Sequence, residues 1–346
     1  MIGAAVLLRG MQAPAQDIQI VLRTIATIPT DTIDQHGRPF TIAGLSGITY
    51  AGDDQFIAVM DNSDKLVKLA MRFEPDGSLG SLEVTGGVTL AHRRDFEGIV
   101  YRHSERPTVL LSEEDTPAVH EYRLDDGAQL TTLETPRVFT RGRRPNFGFE
   151  SLTAGRDSLW TTNEEALQMD GERSSVEAGS LVRLLRYDRR DGQYEPAAQY
   201  AYRTEPIHKP HDDEDRRLSR SGLVELVALP DDRVLALERS FARLGRGMIF
   251  SDFRNSIYLI DLATATDITA AEFDDGLVGK DLQPVDKALL WSQQGLSLGN
   301  LEGLCLGPEL APGRWVLVGV IDNGGIQGVL NRTVLFEMRI SPDSAR

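Results

Sequence analysis

Acidic side chains recur in this chain where a short β-like run begins and where its partner run ends. The pattern appears in the segments 44–62, 95–115, 148–165, 223–240 and 300–323. Stacked on one another, these segments align Ser46, Glu97, Glu150, Glu225 and Glu302 in one column. A second column holds Asp61, Glu114, Glu164, Arg239 and Asp322. Carboxylates brought to one place repel one another unless cations or arginines neutralise them. An all-oxygen donor set of this kind suits hard cations, Ca²⁺ first and Mg²⁺ second. The structural alternative is that each acid caps backbone N–H groups or sits in a turn, as Asp61-Asn62 and Asp322-Asn323 could. Capping alone does not call for Glu in both columns.

Internal repetition on this scale is the mark of a propeller, solenoid or array. Runs such as 56–60, 108–112 and 234–238 are rich in residues suited to pleated, buried surfaces. Gly52-Asp53-Asp54, Gly155-Arg156-Asp157 and Pro230-Asp231-Asp232 lie between such runs, as hairpin turns do. Further strands are expected at 18–28, 66–73, 119–124, 181–188, 256–262 and 333–340, with one short helix at 287–295. The polar stretch 205–221 reads as an exposed loop. The fold class is therefore all-β, and a β-propeller fits better than a solenoid, because the insertions are irregular and no caps are evident. Six blades are expected: five from the visible units and a degenerate one within 245–295. The N- and C-terminal strands would complete one blade between them and hide its edges. In a propeller blade the innermost strand leaves one face and the next strand returns to it. Both columns would then meet at one mouth of the central channel.

Composition points to a single large domain over 17–346. With 37 basic and 52 acidic residues the net charge is −15, which excludes a general nucleic-acid binder, since that role needs a basic footprint. The single cysteine, Cys305, reads as a small core residue. Residues 1–16 pair a short apolar run with Ala13-Pro14-Ala15 and read as the remnant of an export signal, giving a periplasmic or secreted protein. No other stretch approaches the ~20 apolar residues needed to cross a bilayer, so no stable membrane insertion is expected. The chain is read as a monomer acting on a small molecule.

Familiar catalytic motifs are missing: there is no H-E-x-x-H, Walker loop or G-x-G-x-x-G. Ser46 lies in Gly44-Leu45-Ser46-Gly47 rather than a nucleophile elbow. His208 and His211 fall in the polar stretch and read as solvated surface. Arg94, Arg143-Arg144 and Arg239 fall at unit edges, where they would pair with the carboxylates or grip a phosphate.

The repeated Ser/Glu-Gly-Ile/Leu starts, Asp95-Phe96-Glu97-Gly98, Leu237-Glu238-Arg239-Ser240 and Asn300-Leu301-Glu302-Gly303 followed by Asp322-Asn323 resemble the phytase-like family, named for esterase-like activity of phytase, over roughly 40–340. The resemblance implies an exported bacterial propeller related in architecture to calcium-dependent phytases, whose acidic mouth holds phosphate esters and activates water. On that reading Glu97, Glu150 and Glu302 hold metal or orient the attacking water. Asp61, Glu114, Glu164, Glu225 and Asp322 complete the metal shell, and Arg239, a cation in an otherwise acidic column, receives the phosphate. Two other classes stay open: a metal-assisted lactonase or carboxylic-ester hydrolase, and a non-catalytic binding propeller. A basic lining opposite the metals favours the phosphoesterase, an apolar pocket over one metal the lactonase, and full pairing of the acids with arginine the binding propeller.

Overall fold

The computed structural model describes residues 17–209, 219–244, 251–296, 298–324 and 329–341. With 60% strand and 3% helix, the fold is all-β. The described residues form five four-stranded antiparallel sheets and one small hairpin, Asp31–Ile33 with Pro39–Thr41. In the first four blades the strands run in chain order from the channel outward, beginning with Leu45–Gly52, Phe96–Arg102, Thr153–Ala154 and Arg220–Ala228. The fifth starts at Asn300–Ala311, continues through Arg314–Asp322 and Asn331–Ile340, and takes its outermost strand, Ile18–Ile28, from the other end of the chain. That strand pairs antiparallel with Asn331–Ile340, so the ring is closed and its last sheet has no strand missing.

The core is a set of five layers, one between each pair of adjacent blades. Val59 and Leu66 meet Phe96 and Leu111 between the first and second blades. Leu110 meets Phe149 and Leu185 between the second and third, and Leu184 meets Leu223 and Ala236 between the third and fourth. Leu235 meets Leu317 and Phe336 between the fourth and fifth, and Val318 and Leu335 meet Phe56 and Val67 between the fifth and first. Neighbouring residues of one strand, such as Leu110 and Leu111, serve opposite layers because side chains alternate across a strand. Each blade is thus sealed on both faces. Cys305 packs, partly buried, against the last of these layers.

Three expectations are corrected. There are five blades among the described residues, not six: Ser251–Asp261 and Asp286–Gln294 are the outer two strands of the fourth blade. The connection between them packs on the third blade through Ile268, Phe273 and Leu277 against Ala201. The stretch 287–295 is strand rather than helix, because pairing with Ser251–Asp261 and packing of Leu290 and Trp291 on the fourth–fifth layer override its weak helical preference. The described parts of 205–221 are not an exposed loop. The Glu205 N–H donates to Glu238, His208 Nδ1 lies 2.7 Å from Ser240 Oγ, and Arg220 and Ser221 open the fourth blade. Burial lowers the pKa of His208, whose side chain is 1% exposed, so it is no surface residue; His211 and residues 1–16 lie outside the described residues. Among the described residues no helix is long and apolar enough to cross a membrane.

Candidate metal centre and functional site

Four of the five inner strands start with the same irregularity. The register between innermost and second strands slips between Leu45 and Gly47, Phe96 and Ile99, Leu223 and Glu225, and Leu301 and Gly303. Such bulges re-aim one side chain. The side chains so placed are Ser46, Glu97, Val224 and Glu302, with Glu150 equivalent in the third blade, where Phe149 bridges Asn163. The following position, Gly47, Gly98, Ser151 and Gly303, is where inner strands pass closest: a Cβ at Gly98 would stand 2.2 Å from Leu152 N.

Glu225 occupies this close-approach position and not the acidic column. Its Oε1 accepts hydrogen bonds from the N–H groups of Leu152 (3.3 Å) and Leu226 (3.0 Å), and burial raises its pKa well above the ordinary carboxylate value. It is set apart from the other acids, tying the fourth inner strand to the third. Ser46 is likewise occupied, donating to Phe96 O at 2.8 Å.

The second column is aligned as the sequence suggests. The paired positions Met60, Glu113, Asn163, Glu238 and Ile321 are each followed by its members Asp61, Glu114, Glu164, Arg239 and Asp322. These acids and Glu97, Glu150 and Glu302 line one open cavity of about 150 Å³ at the channel mouth. Asp95 and Asn300, each two residues before a column glutamate, and Asn62, Asn146 and Arg220 complete a wholly polar lining. The sequence signal for Asp95 and Asn300 is their alternation with Glu97 and Glu302. Arg220 sits in the stretch read as a loop.

Two triads stand out. Carboxylate oxygens of Asp61, Asp95 and Glu97 lie within 4.8 Å of one another, and so do those of Glu114, Glu150 and Glu164. Burial, reinforced by Asp95, pushes Asp61 up to about 9, and burial with Glu164 pushes Glu114 up to about 9. Glu97 and Glu150 are raised well above the ordinary range by burial, reinforced by Glu150 for Glu97 and by Glu164 for Glu150. Glu302 rises to about 7 through burial and Asp322, partly offset by Arg239. Glu164 goes the other way. Burial works against its charge, but Arg220 and Arg239 outweigh it and hold its pKa below the ordinary value.

Arg239 lies under the cavity and does not line it. It is fully buried, with Nη2 2.5 Å from Glu164 Oε1, and Nη1 bonded to Glu302 Oε1 and to Asn300 Oδ1. The expected phosphate-gripping arginine is thus engaged by the protein's own acids. Asn300 Nδ2 also joins Glu302 (2.8 Å) and Asp322 (2.9 Å). Arg94 pairs with Glu113, and Arg144 donates to backbone carbonyls, so neither reaches the cavity lining.

The donor set fits a hard divalent cation. It is all oxygen and mostly carboxylate, and Asp95 Oδ1 is buried without a hydrogen-bond partner. Among the described residues no lysine or arginine pairs with Asp61, Asp95 or Glu97.

At low identity the chain is similar in architecture to several solved structures. It is 8% identical to hydrazine synthase of Kuenenia stuttgartiensis over 85% of this chain and 63% of that one, with a TM-score of 0.35. It is 14% identical to the PQQ-bound aldose sugar dehydrogenase of Streptomyces coelicolor over 94% and 100% (TM-score 0.37), and 9% identical to the Dos1 propeller over 88% and 72% (TM-score 0.37). The chain matches no curated protein. The family model "Phytase-like: Esterase-like activity of phytase" matches residues 41–325, a family that suggests a hydrolase-type function. With most of its length matched and a closed propeller bearing an acidic mouth, the chain belongs to this phytase-like family.

Proposed function

We propose that the protein is a Ca²⁺-dependent hydrolase of phosphate esters, working at the acidic mouth, in an exported bacterial setting. The observation that carries this reading is the pair of carboxylate triads facing one open, wholly polar cavity. Asp61, Asp95 and Glu97 would hold one cation and Glu114, Glu150 and Glu164 another. Bound there, Ca²⁺ would screen the phosphoryl oxygens and lower the pKa of a coordinated water. Glu302, which lines the same cavity without belonging to either triad, would orient the attacking water and accept its proton. Arg239 and Asn300 fix the Glu302 carboxylate from below, and Asn300 also fixes Asp322.

A lactonase built like other metal-assisted ester hydrolases would want an apolar pocket, and among the described residues the lining here has no apolar member. A purely structural mouth would have its acids fully paired with arginine, yet among the described residues Arg239 and Arg220 reach only Glu164 and Glu302. The test is a turnover screen on phosphate monoesters, carboxylic esters and lactones with Ca²⁺ or with chelator. Calcium-dependent release of phosphate supports the reading; calcium-independent turnover, or turnover of lactones alone, overturns it.

A further inference from the structure

Among the described residues Arg220 is the one cation in the cavity lining. Its side chain is about one-third exposed, with Nε 3.2 Å from Glu164 Oε1. That oxygen already accepts from buried Arg239 at 2.5 Å, and Arg220 Nε has no hydrogen-bond partner. The guanidinium is therefore the weaker of two claimants on one carboxylate. It is placed nonetheless: its carbon lies 5.8 Å from the centre of the Phe147 ring, which also carries Arg173 at 4.6 Å. Phe147 is buried, and its neighbour Asn146 lines the cavity. An arginine over an aromatic face keeps its fork oriented at small cost in freedom.

Position strengthens the case. In the fourth blade the first column holds Val224 and the second holds Arg239, so among the described residues that sector contributes no carboxylate to the mouth. The acids form an arc from the other four blades, and Arg220 stands in its gap, beside the triad of Glu114, Glu150 and Glu164. A substrate oxyanion drawn to cations held by this triad would meet Arg220 in the lining of the same cavity.

We infer that Arg220, oriented by Phe147, is the specificity-determining residue of the mouth and receives the free oxygens of a phosphoryl group. The inference rests on the proposed function for its metal but not for its chemistry, because it concerns binding. Loss of a charge-assisted hydrogen bond of this kind corresponds to roughly 10- to 150-fold in affinity.

The experiment is equilibrium titration of the intact, Ca²⁺-loaded protein with inorganic phosphate, kept below calcium phosphate precipitation, alongside Ca²⁺ titrations of each variant. Arg220→Ala should weaken phosphate binding at least tenfold without weakening Ca²⁺ binding. Arg220→Lys should fall between, since it keeps the charge and loses the fork. Phe147→Leu should weaken phosphate binding about threefold, the scale of an exposed cation–π contact. Equal phosphate affinity in wild type and Arg220→Ala overturns the inference, as does a calcium-loaded wild type that binds no phosphate. Arginine-dependent phosphate binding without turnover of any ester would sustain the inference and defeat the hydrolase reading. If Arg220→Ala does not fold, Arg220→Lys decides: undiminished affinity overturns the inference.

Discussion

Arg239 Nη2 and Glu164 Oε1 form a 2.5 Å ion pair with no exposed surface on the arginine and 2% on the carboxylate. Both charges are buried, Glu164 in the cavity lining and Arg239 beneath it, where an unpaired charge would be far costlier than on the surface. Arg239 therefore acts as a fixed internal cation, joining Glu164 from the third blade to Glu302 from the fifth.

Replacing Arg239 with methionine removes that cation and leaves two buried acids facing each other. The expected loss is about 3–5 kcal/mol in the chelated protein, the usual cost of breaking a buried pair. Added Ca²⁺ should recover part of it by neutralising the same acids. Chemical denaturation with and without Ca²⁺ measures both. A loss below about 1 kcal/mol would contradict the role assigned to this residue.

Stability should depend on pH in a direction fixed by the raised carboxyls. Asp61 and Glu114 titrate near 9 in the folded, cation-free protein, against roughly 4 in an unfolded chain. Their stabilising contribution is therefore fully present below the unfolded value and is lost as pH rises toward 9. Calcium needs the same groups deprotonated, so its binding releases protons and tightens with pH. Melting of the chelated protein should fall between pH 6 and 9, while the rise produced by Ca²⁺ should grow. A calcium-induced rise that shrinks over this range would contradict the assignment.

Glu97 and Glu225 should behave oppositely although both begin inner strands. Glu97→Gln removes a triad ligand and should weaken Ca²⁺ binding at least tenfold, with little loss of stability in the chelated protein because one buried, repelling carboxyl is gone. Glu225→Gln keeps an acceptor for the Leu152 and Leu226 N–H groups, and should leave Ca²⁺ affinity unchanged at a stability cost of about 1 kcal/mol or less. Calorimetric Ca²⁺ titration of both variants separates them. Equal weakening would restore Glu225 to the metal shell.

Much of this was legible in the sequence because a propeller repeats itself. The second column survived because Asp61, Glu114, Glu164, Arg239 and Asp322 each directly follow a paired residue, with no bulge between. The first column failed at one blade, where the bulge puts Val224 rather than Glu225 at the column position, and Val224 packs into the core. A one-residue slip in a strand reverses the side chain, and composition alone does not reveal the slip. Aligning Gly222-Leu223-Val224-Glu225 with Gly44-Leu45-Ser46-Gly47 exposes it. The sixth blade was an artefact of length, since the long connection between the outer strands of the fourth blade packs on its neighbour without adding a sheet. Arg220 was hidden because its strand opens inside a stretch whose polar residues pair with buried partners such as Glu238 and Ser240.

The central claim is that the two carboxylate triads hold divalent cations, and the most direct measurement is calorimetric titration of the chelated protein with Ca²⁺ at pH 8, with bound metal counted by elemental analysis. Saturable binding accompanied by proton release, and sharply weakened in Glu97→Gln, is the predicted result. No binding up to millimolar Ca²⁺, or binding that Glu97→Gln leaves intact, would contradict it.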